Sequence, residues 1–215
     1  MRYKSKKEAQ QDHLTNYRSD GVAKQKGHKY SSDHYRVRYV IENVPKKAYV
    51  LDVGCNGGTI ALHLLERGCR VKGIDLVPEL VAKAKKRGVF AEVGEAEDLS
   101  RFKDSTFDCV ICAEVLEHLF DPLVAIEEAH RVLKSGGKYV VTVPHMSGEM
   151  CSNDKLGDYH QQNFSWEILC NLFQSVFGQD NIRYMEIPYT EIYCKSSGSD
   201  PKRPQWLGFV ATKSE

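Results

Sequence analysis

The sequence predicts an α/β fold, in which helices cover both faces of a largely parallel sheet. From about residue 48 onward, short runs of β-branched residues alternate with longer segments that have helical periodicity. Glycine or proline stands at several junctions between these segments, where helices commonly begin or end. Such alternation produces βαβ units, and their right-handed crossovers place helices on both sides of the sheet.

Five strands are predicted in the first part of this pattern, at residues 48–53, 70–74, 89–93, 107–112 and 138–143. Helices are predicted between them at residues 59–67, 78–87 and 122–133. Gly68 and Gly88 follow the first two helices, and Ser135-Gly136-Gly137 is expected to close the third, because glycine tolerates the backbone conformation that ends a helix.

The pattern loosens after Pro144. The polar segment 145–164 is expected to be a lid or a binding loop, since structureless loops of that length are usually functional. A helix at 165–176 with Ser165 as its N-cap, strands at 182–187 and 206–212, and a polar connection at 189–205 complete the prediction. Upstream, a helix at 33–43 is expected to cover one edge of a crevice at the sheet.

Composition indicates one domain. The chain has 215 residues, 41% of them hydrophobic, which is enough for a single sizeable core. Residues 48–215 are assigned to it, with 1–47 as a basic arm and helical cover. Residues 1–30 hold eight Lys or Arg against three acids, although the net charge is +1. We expect a solvated, partly disordered arm there, and an arm that contacts phosphate is the alternative.

The seven cysteines predict thiols in a reducing compartment. Their number is odd and their spacing irregular. Cys109 and Cys112 form a C-x-x-C within a predicted strand, where residues three apart face opposite sides, so two core thiols are expected instead of a metal or redox pair. No signal peptide or membrane span is expected, which predicts a cytoplasmic location. Trp166 and Trp206 are expected in the core, or Trp206 in a substrate wall.

A glycine-rich loop after the first predicted strand is the strongest site signal. It reads Asp52-Val53-Gly54-Cys55-Asn56-Gly57-Gly58 and precedes a helix. Ligands of open α/β sheets bind at the carboxyl ends of the strands, and glycine lets the backbone approach them closely. The N–H groups at the helix start favour a carboxylate or phosphate. Asp75, after the second strand, can accept hydrogen bonds from ribose hydroxyls.

A dinucleotide is the natural competitor for such a loop. The dinucleotide fingerprint is G-x-G-x-x-G, whose second glycine admits the pyrophosphate. Asn56 occupies that second position and Thr59 the third. The sequence therefore favours a single adenosine with an amino-acid tail over NAD.

These motifs resemble those of class I S-adenosylmethionine-dependent methyltransferases, particularly the type 11/23 and ubiquinone-pathway O-methyltransferase groups. The loop at 51–58 resembles motif I, although many members have glycine where this chain has Asn56. Asp75 resembles the acid of motif II. Further similar segments are 94–99, 107–112 with 113–119, and 133–137, so the resemblance covers roughly residues 48–144.

The resemblance implies a Rossmann-like three-layer sandwich, with a seven-stranded, mostly parallel sheet whose last strand is antiparallel. It also implies which residues bind S-adenosylmethionine, or the product S-adenosylhomocysteine. Asp52 and the loop would face the methionine portion, Asp75 the ribose, and Glu95 the adenine edge. The full implied set is Asp52, Gly54, Cys55, Asn56, Gly57, Gly58, Asp75, Leu76, Glu95, Ala96, Ala113 and Glu114.

Methyl transfer to oxygen also requires removal of a proton. The candidate bases are His118, His145, His160 and Tyr159. A turn or short helix places Glu114, Glu117 and His118 on one face, where they could bind a divalent metal with His160 as a fourth ligand. Related metal-dependent O-methyltransferases, including RNA 3′-terminal 2′-O-methyltransferases, carry a similar Glu-x-x-Glu-His. The favoured interpretation is that the same groups cap the turn and form the pocket wall without a metal.

Three functions follow from this. The favoured one is O-methylation of a small polar acceptor such as a sugar, phenol or quinone precursor. The first alternative is an RNA 2′-O-methyltransferase that uses a metal and the basic arm. The second is a non-catalytic regulatory protein that binds S-adenosylmethionine. The acceptor, the oligomeric state and the pathway are not encoded in any motif that we recognise.

Overall fold

The computed structural model describes residues 5–19, 35–145, 162, 164–188 and 204–214. Its six helices in these ranges are α1 (Lys6–Ser19), α2 (Tyr35–Asn43), α3 (Thr59–Glu66), α4 (Pro78–Lys86), α5 (Pro122–Val132) and α6 (Trp166–Phe177). The strands are β1 (Tyr49–Val53), β2 (Arg70–Asp75), β3 (Phe90–Val93), β4 (Phe107–Ala113), β5 (Leu133–Pro144), β6 (Ile182–Pro188) and β7 (Pro204–Thr212). Two short 3-10 turns lie at Leu116–His118 and Gln179–Asn181.

The seven strands form one sheet in the order β3-β2-β1-β4-β5-β7-β6. The pairings among β1 to β5 are parallel, whereas β7 is antiparallel to both of its neighbours, β5 and β6. This confirms the α/β class and the seven-stranded sheet with an antiparallel last strand. The strand order reverses between β1 and β4, which is where ligands of such sheets bind.

The core has two parts, one on each face of the sheet. One part packs under α5 and α6 and includes Tyr139, Phe173 and Phe209, whose rings stack. The other packs under α2, α3 and α4. Cys109 belongs to the second part and Cys112 to the first, so the C-x-x-C thiols face opposite sides as predicted. Burial raises the pKa of the Cys112 thiol to about 12.

The predicted start of the fifth strand and the predicted burial of Trp166 need correction. The fifth strand begins at Leu133, not at residue 138, and the segment predicted as a helix-closing turn lies within β5. The register with β4 shifts there, between Phe107 and Cys109. In this part of β5, the backbone of Lys213 exchanges hydrogen bonds with Gly136 and Gly137. The helix predicted at 33–43 is present as α2 over Tyr35–Asn43, and residues 33 and 34 lie outside the described residues. Trp166 was expected in the core but is 41% exposed. Its ring stacks on Tyr184 at the edge of the sheet instead.

The N-terminal segment also differs from the solvated arm that its charge predicted. Residues Lys6–Ser19 form α1, in which Ala9 is only 3% exposed. The Lys6 ammonium lies 2.9 Å from Glu95 Oε2, so this helix is docked against the loop that follows β3. The sequence did not predict this docking, because a helix that packs through one small apolar side chain has almost no hydrophobic periodicity. Its excess of basic residues predicted exposure to solvent instead. No helix in the described ranges has the length and apolar character needed to cross a membrane.

Candidate active site

The glycine-rich loop connects β1 to α3 at the carboxyl edge of the sheet. Three of its residues have positive φ: Gly54 (70°), Asn56 (48°) and Gly58 (79°). Asn56 tolerates this conformation because asparagine is the residue, after glycine, that best stabilises it by local hydrogen bonding. Its own Oδ1 accepts a hydrogen bond from Gly57 N at 2.6 Å. The departure from glycine at this position therefore preserves the turn.

Close packing adds to this backbone requirement at two glycines. A Cβ on Gly54 would overlap Cγ2 of Val115, which lies in the connection after β4. A Cβ on Gly58 would lie 2.8 Å from Val89 Cγ2. Arg87, just after α4, ties the loop from outside, since its Nη1 donates to Gly57 O at 2.6 Å. The loop is thus held by side chains from two connections, the one between α4 and β3 and the one after β4.

Asp75, at the end of β2, lies directly beside this loop. Its Oδ2 accepts a hydrogen bond from Asn56 N at 2.8 Å, and its Oδ1 accepts one from Val77 N at 2.9 Å. Burial nevertheless raises the pKa of the Asp75 carboxyl. Each oxygen retains a second lone pair, so the carboxylate can also accept hydrogen bonds from two hydroxyl groups. Leu76 follows it and is half-buried.

Asp52 is the most deeply buried acid of the loop region, at 2% exposure. Its Oδ2 makes no hydrogen bond to any residue in the described part of the chain. Burial, reinforced by the nearby Asp75 carboxyl, raises the pKa of Asp52 to about 7. A buried acceptor of this kind is costly unless a donor reaches it. The α3 N-terminus has no side-chain cap either, which leaves its N–H groups able to bind a carboxylate. Both features fit the ammonium and carboxylate of an amino-acid tail.

Glu95 and Ala96 follow β3 in a tight turn, in which Glu95 and Asp98 form an isolated β-bridge. Ala96 is half-buried against the core. The Glu95 carboxylate is 38% exposed and pairs with Lys6. Next to it, the Glu97 carboxylate accepts a hydrogen bond from Asp121 N at 2.9 Å, which joins this turn to the start of α5. The acid predicted for the adenine edge therefore follows β3 closely, and it has a basic partner that the sequence did not reveal.

β4 ends at Ala113, and Glu114 follows it directly. Glu114 has a φ of 59°, which for a residue other than glycine or asparagine is unusual and often marks a functional position. Its Oε2 accepts a hydrogen bond from Trp206 Nε1 at 3.0 Å. Burial raises the pKa of the Glu114 carboxyl, and the buried Arg36 guanidinium opposes that shift. Trp206 is thus a core residue, as predicted, and it also hydrogen-bonds a residue of the predicted site.

Glu117 is 2% exposed and its Oε2 has no hydrogen-bond partner among the described residues. Burial and the neighbouring Glu114 raise the pKa of the Glu117 carboxyl well above its usual range. His118 lies beside it, with Nε2 at 3.9 Å from Glu117 Oε1. Within the described ranges, no three His, Cys, Asp or Glu side chains are grouped so as to hold a metal. His160, the fourth ligand in the metal hypothesis, lies outside those ranges.

The remaining base candidates are placed differently. His145 follows β5, and its Nε2 lies 3.7 Å from Oε1 of Glu186 on the edge strand β6. Its backbone N donates to Gln205 O, which ties it to the entry of β7. Tyr159 and His160 lie outside the described residues, as does nearly all of the segment predicted as a lid. Gln162 is described, and its backbone N donates to Glu117 O at 3.1 Å.

Sequence reasoning missed four residues that contact the site: Lys6, Arg36, Arg87 and Val115. Only Arg36 left a signal in the sequence. It falls one helical turn before Val40 on the apolar face of α2, where a charged residue is unexpected. Contacts of the other three join segments that are distant in the sequence.

Comparisons with known proteins agree with this geometry. Residues 51–141 match the family model described as "Methyltransferase domain". A protein from Xanthomonas oryzae pv. oryzae named "Ubiquinone biosynthesis O-methyltransferase" is 42% identical over 97 residues, which cover 42% of this chain and 41% of that protein. The chain thus spans less than half the length of such curated relatives.

Solved structures share the fold at low identity. A Thermotoga maritima protein, described as a methyltransferase that uses S-adenosylmethionine and as a possible histamine N-methyltransferase, superposes with a TM-score of 0.70 at 20% identity, over 96% of this chain and 99% of that one. The [4+2]-cyclase SpnF superposes equally well, with a TM-score of 0.70 at 18% identity, over 96% and 97%. The shared fold therefore does not by itself fix the reaction.

The described sheet has the Rossmann-like fold of the solved methyltransferase structures that it resembles. The match to the "Methyltransferase domain" model covers residues 51–141, which is less than half of the chain.

Proposed function

We propose that this chain transfers the methyl group of S-adenosylmethionine to an oxygen atom of a small polar acceptor, such as a sugar, a phenol or a quinone precursor. The observation that carries the proposal is the convergence, at the point where strand order reverses, of the glycine-rich loop, Asp75 and the buried carboxyl groups after β4. The similarity of about half the chain to ubiquinone-pathway O-methyltransferases supports an oxygen acceptor.

The described residues fit the cofactor at three places. Asp75 would accept hydrogen bonds from the ribose hydroxyls while it also accepts the one from Asn56 N. Asp52 Oδ2, which has no donor among the described residues, would accept the ammonium of the methionine portion. Glu95 would accept a hydrogen bond from the amino group of adenine. When bound, S-adenosylmethionine supplies a methyl group already activated by its sulfonium charge, so the protein contributes chiefly position and orientation.

An acceptor hydroxyl must also lose its proton, and His118 is the base that we favour. It lies three residues after Val115, and Val115 packs on Gly54 of the glycine-rich loop. The His118 side chain is 23% exposed. Glu117 is less suited to this role, because burial and the neighbouring Glu114 raise the pKa of its carboxyl and so disfavour the ionised form that a general base requires. His145, Tyr159 and His160 stay as alternatives, the last two on the segment that would cover the acceptor.

The proposal is tested by transfer of labelled methyl groups to a panel of sugars, phenols and quinone precursors. We expect His118→Ala to lower kcat by about 100-fold or more, as loss of a general base does, with cofactor affinity unchanged. His130→Ala is the matched control, because His130 packs edge-on against Phe177 between α5 and α6, on a face away from the cofactor loop. If His145→Ala or His160→Ala has the large effect instead, that histidine is the base.

Other results would select the alternative functions. Loss of activity on chelation, with recovery on addition of a divalent metal, would support a metal site at Glu114, Glu117 and His118. Salt-sensitive RNA binding with methylation of ribose would favour the RNA enzyme. Binding of S-adenosylmethionine by calorimetry, without transfer to any acceptor, would favour the regulatory role.

A further inference from the structure

The contact between α1 and the loop after β3 places a basic residue directly on the proposed adenine acceptor. Lys6 Nζ lies 2.9 Å from Glu95 Oε2 and 3.6 Å from Glu97 Oε2. Glu97 is nearly inaccessible, with 6% of its side chain exposed, and its other oxygen is held by Asp121 N at the start of α5. Lys6 therefore contacts a carboxylate that is itself fixed to the domain.

Three residues of α1 form this contact from one face of the helix. Lys6, Ala9 and Gln10 are three and four residues apart, a spacing that brings side chains to the same side. Ala9 is 3% exposed, and Gln10 hydrogen-bonds the Glu95 carboxylate together with Lys6. The first turn of α1 is thus oriented by Glu95 and not merely adjacent to it.

We infer that Lys6 is a positioning residue for adenine recognition, which holds the Glu95 carboxylate in place so that docking of α1 and binding of the cofactor reinforce each other. This inference rests on the proposed role of Glu95 in cofactor binding. The Lys6 ammonium occupies one side of Oε2, and the carboxylate has further lone pairs with which to accept a hydrogen bond from the adenine amino group.

Charge supports the same arrangement. Burial alone would raise the pKa of the Glu95 carboxyl, but the hydrogen bonds from Lys6 and Gln10 outweigh it and lower that pKa. Glu95 consequently stays ionised, and an ionised acceptor makes the stronger hydrogen bond. Without Lys6, the Glu95 carboxylate would lose the cation that offsets the repulsion from the nearby Asp98 carboxylate.

The test compares two ligands by calorimetry with the full chain: S-adenosylhomocysteine, and its analogue with hydrogen in place of the 6-amino group. Lys6→Met keeps the aliphatic stem and removes the charge. Lys7→Met is the matched control, because Lys7 is exposed and one residue along α1, so it points away from the face formed by Lys6 and Ala9.

We expect Lys6→Met to weaken binding of S-adenosylhomocysteine about two- to fivefold, the range expected of a partly exposed ion pair. Binding of the 6-deamino analogue should change by less than about 1.5-fold in the same variant, because that ligand makes no hydrogen bond to Glu95. Lys7→Met should match the parent protein for both ligands. In a Glu95→Ala background, Lys6→Met should have no further effect on either ligand.

Two results would overturn the inference. Equal weakening for both ligands would mean that Lys6 only anchors α1. No weakening for either would mean that Lys6 does not act on the site. If the parent protein does not bind S-adenosylhomocysteine at all, the proposed function itself fails, and this outcome is distinguishable from the other two because it precedes any variant.

Discussion

Substitution of Gly54 by alanine is the sharpest test of the structure of the glycine-rich loop between β1 and α3. Two independent penalties are expected. A φ of 70° in an alanine costs about 1–2 kcal/mol, since its Cβ approaches the carbonyl oxygen. Overlap of that Cβ with Val115 Cγ2 adds about 1–3 kcal/mol for overpacking. Gly54→Ala should therefore lower the free energy of unfolding by about 2–5 kcal/mol in total.

Val115→Ala separates the two penalties, because it removes the overlapping methyl group and leaves φ unchanged. By itself it should cost about 1 kcal/mol for the loss of half-buried apolar surface. In the double variant the overpacking disappears, so its loss should be smaller than the sum of the single losses by about 1–3 kcal/mol. This coupling energy is the quantity that the structure predicts.

Urea unfolding of the parent protein, the two single variants and the double variant, followed by circular dichroism, measures this coupling energy. The comparison requires that the denaturant dependence m is the same in all four proteins. Strict additivity would refute the contact between residues 54 and 115. Full recovery of stability in the double variant would instead refute the positive φ. Calorimetry with S-adenosylhomocysteine should show that the affinity lost in Gly54→Ala is not fully regained in the double variant, since the backbone penalty persists.

Two further predictions concern stability. Asp52 has a pKa of about 7 in the folded protein against an ordinary value of 3.8, so between these pH values the folded chain keeps a proton that the unfolded chain loses. The contribution of Asp52 to the free energy of unfolding therefore falls as pH rises from about 4 to 7. Asp52→Asn should reduce that fall, measured by urea unfolding at pH 5 and pH 8. An unchanged dependence on pH would contradict the raised pKa. Arg131 donates to two backbone carbonyls of the 99–104 loop and to Glu128 Oε1 and Oε2. Arg131→Ala should cost about 2–3 kcal/mol, whereas the control Arg38→Ala, which breaks a pair 61% exposed at the arginine, should cost less than about 0.5 kcal/mol; similar losses for both would refute a specific role for Arg131.

The sheet was predictable because its signals are local. Each strand of the parallel part is an apolar run bounded by glycine, proline or a polar cluster, and these features determine where elements begin and end. The loop at 52–58 was recognisable for the same reason, since the conformation that its glycines permit is a property of neighbouring residues. Asp75 was placed beside it from a general rule, because parallel strands end at one edge of the sheet.

Contacts between distant segments were not predictable. Trp206 and Glu114 are separated by 92 residues, and no pattern at either position announces the hydrogen bond between them. The same applies to Lys6, whose basic neighbours suggested solvent exposure when its actual surroundings are two carboxylates. The irregular part of β5 likewise pairs with Lys213, which follows β7 and is distant in the sequence. The assignment of catalytic and cofactor-binding residues stays a prediction, with the geometry above as its support.

The position of β7 has a consequence for how the molecule assembles. Within the described sheet, β6 pairs with β7 and with no other strand, although it is synthesised first. An emerging chain thus carries β6 with its ladder groups unsatisfied until the following strand leaves the ribosome and inserts beside β5. Pairing of β6 therefore waits for Pro204–Thr212, and a nascent chain that stalls before these residues would expose an unpaired strand edge that is prone to aggregation.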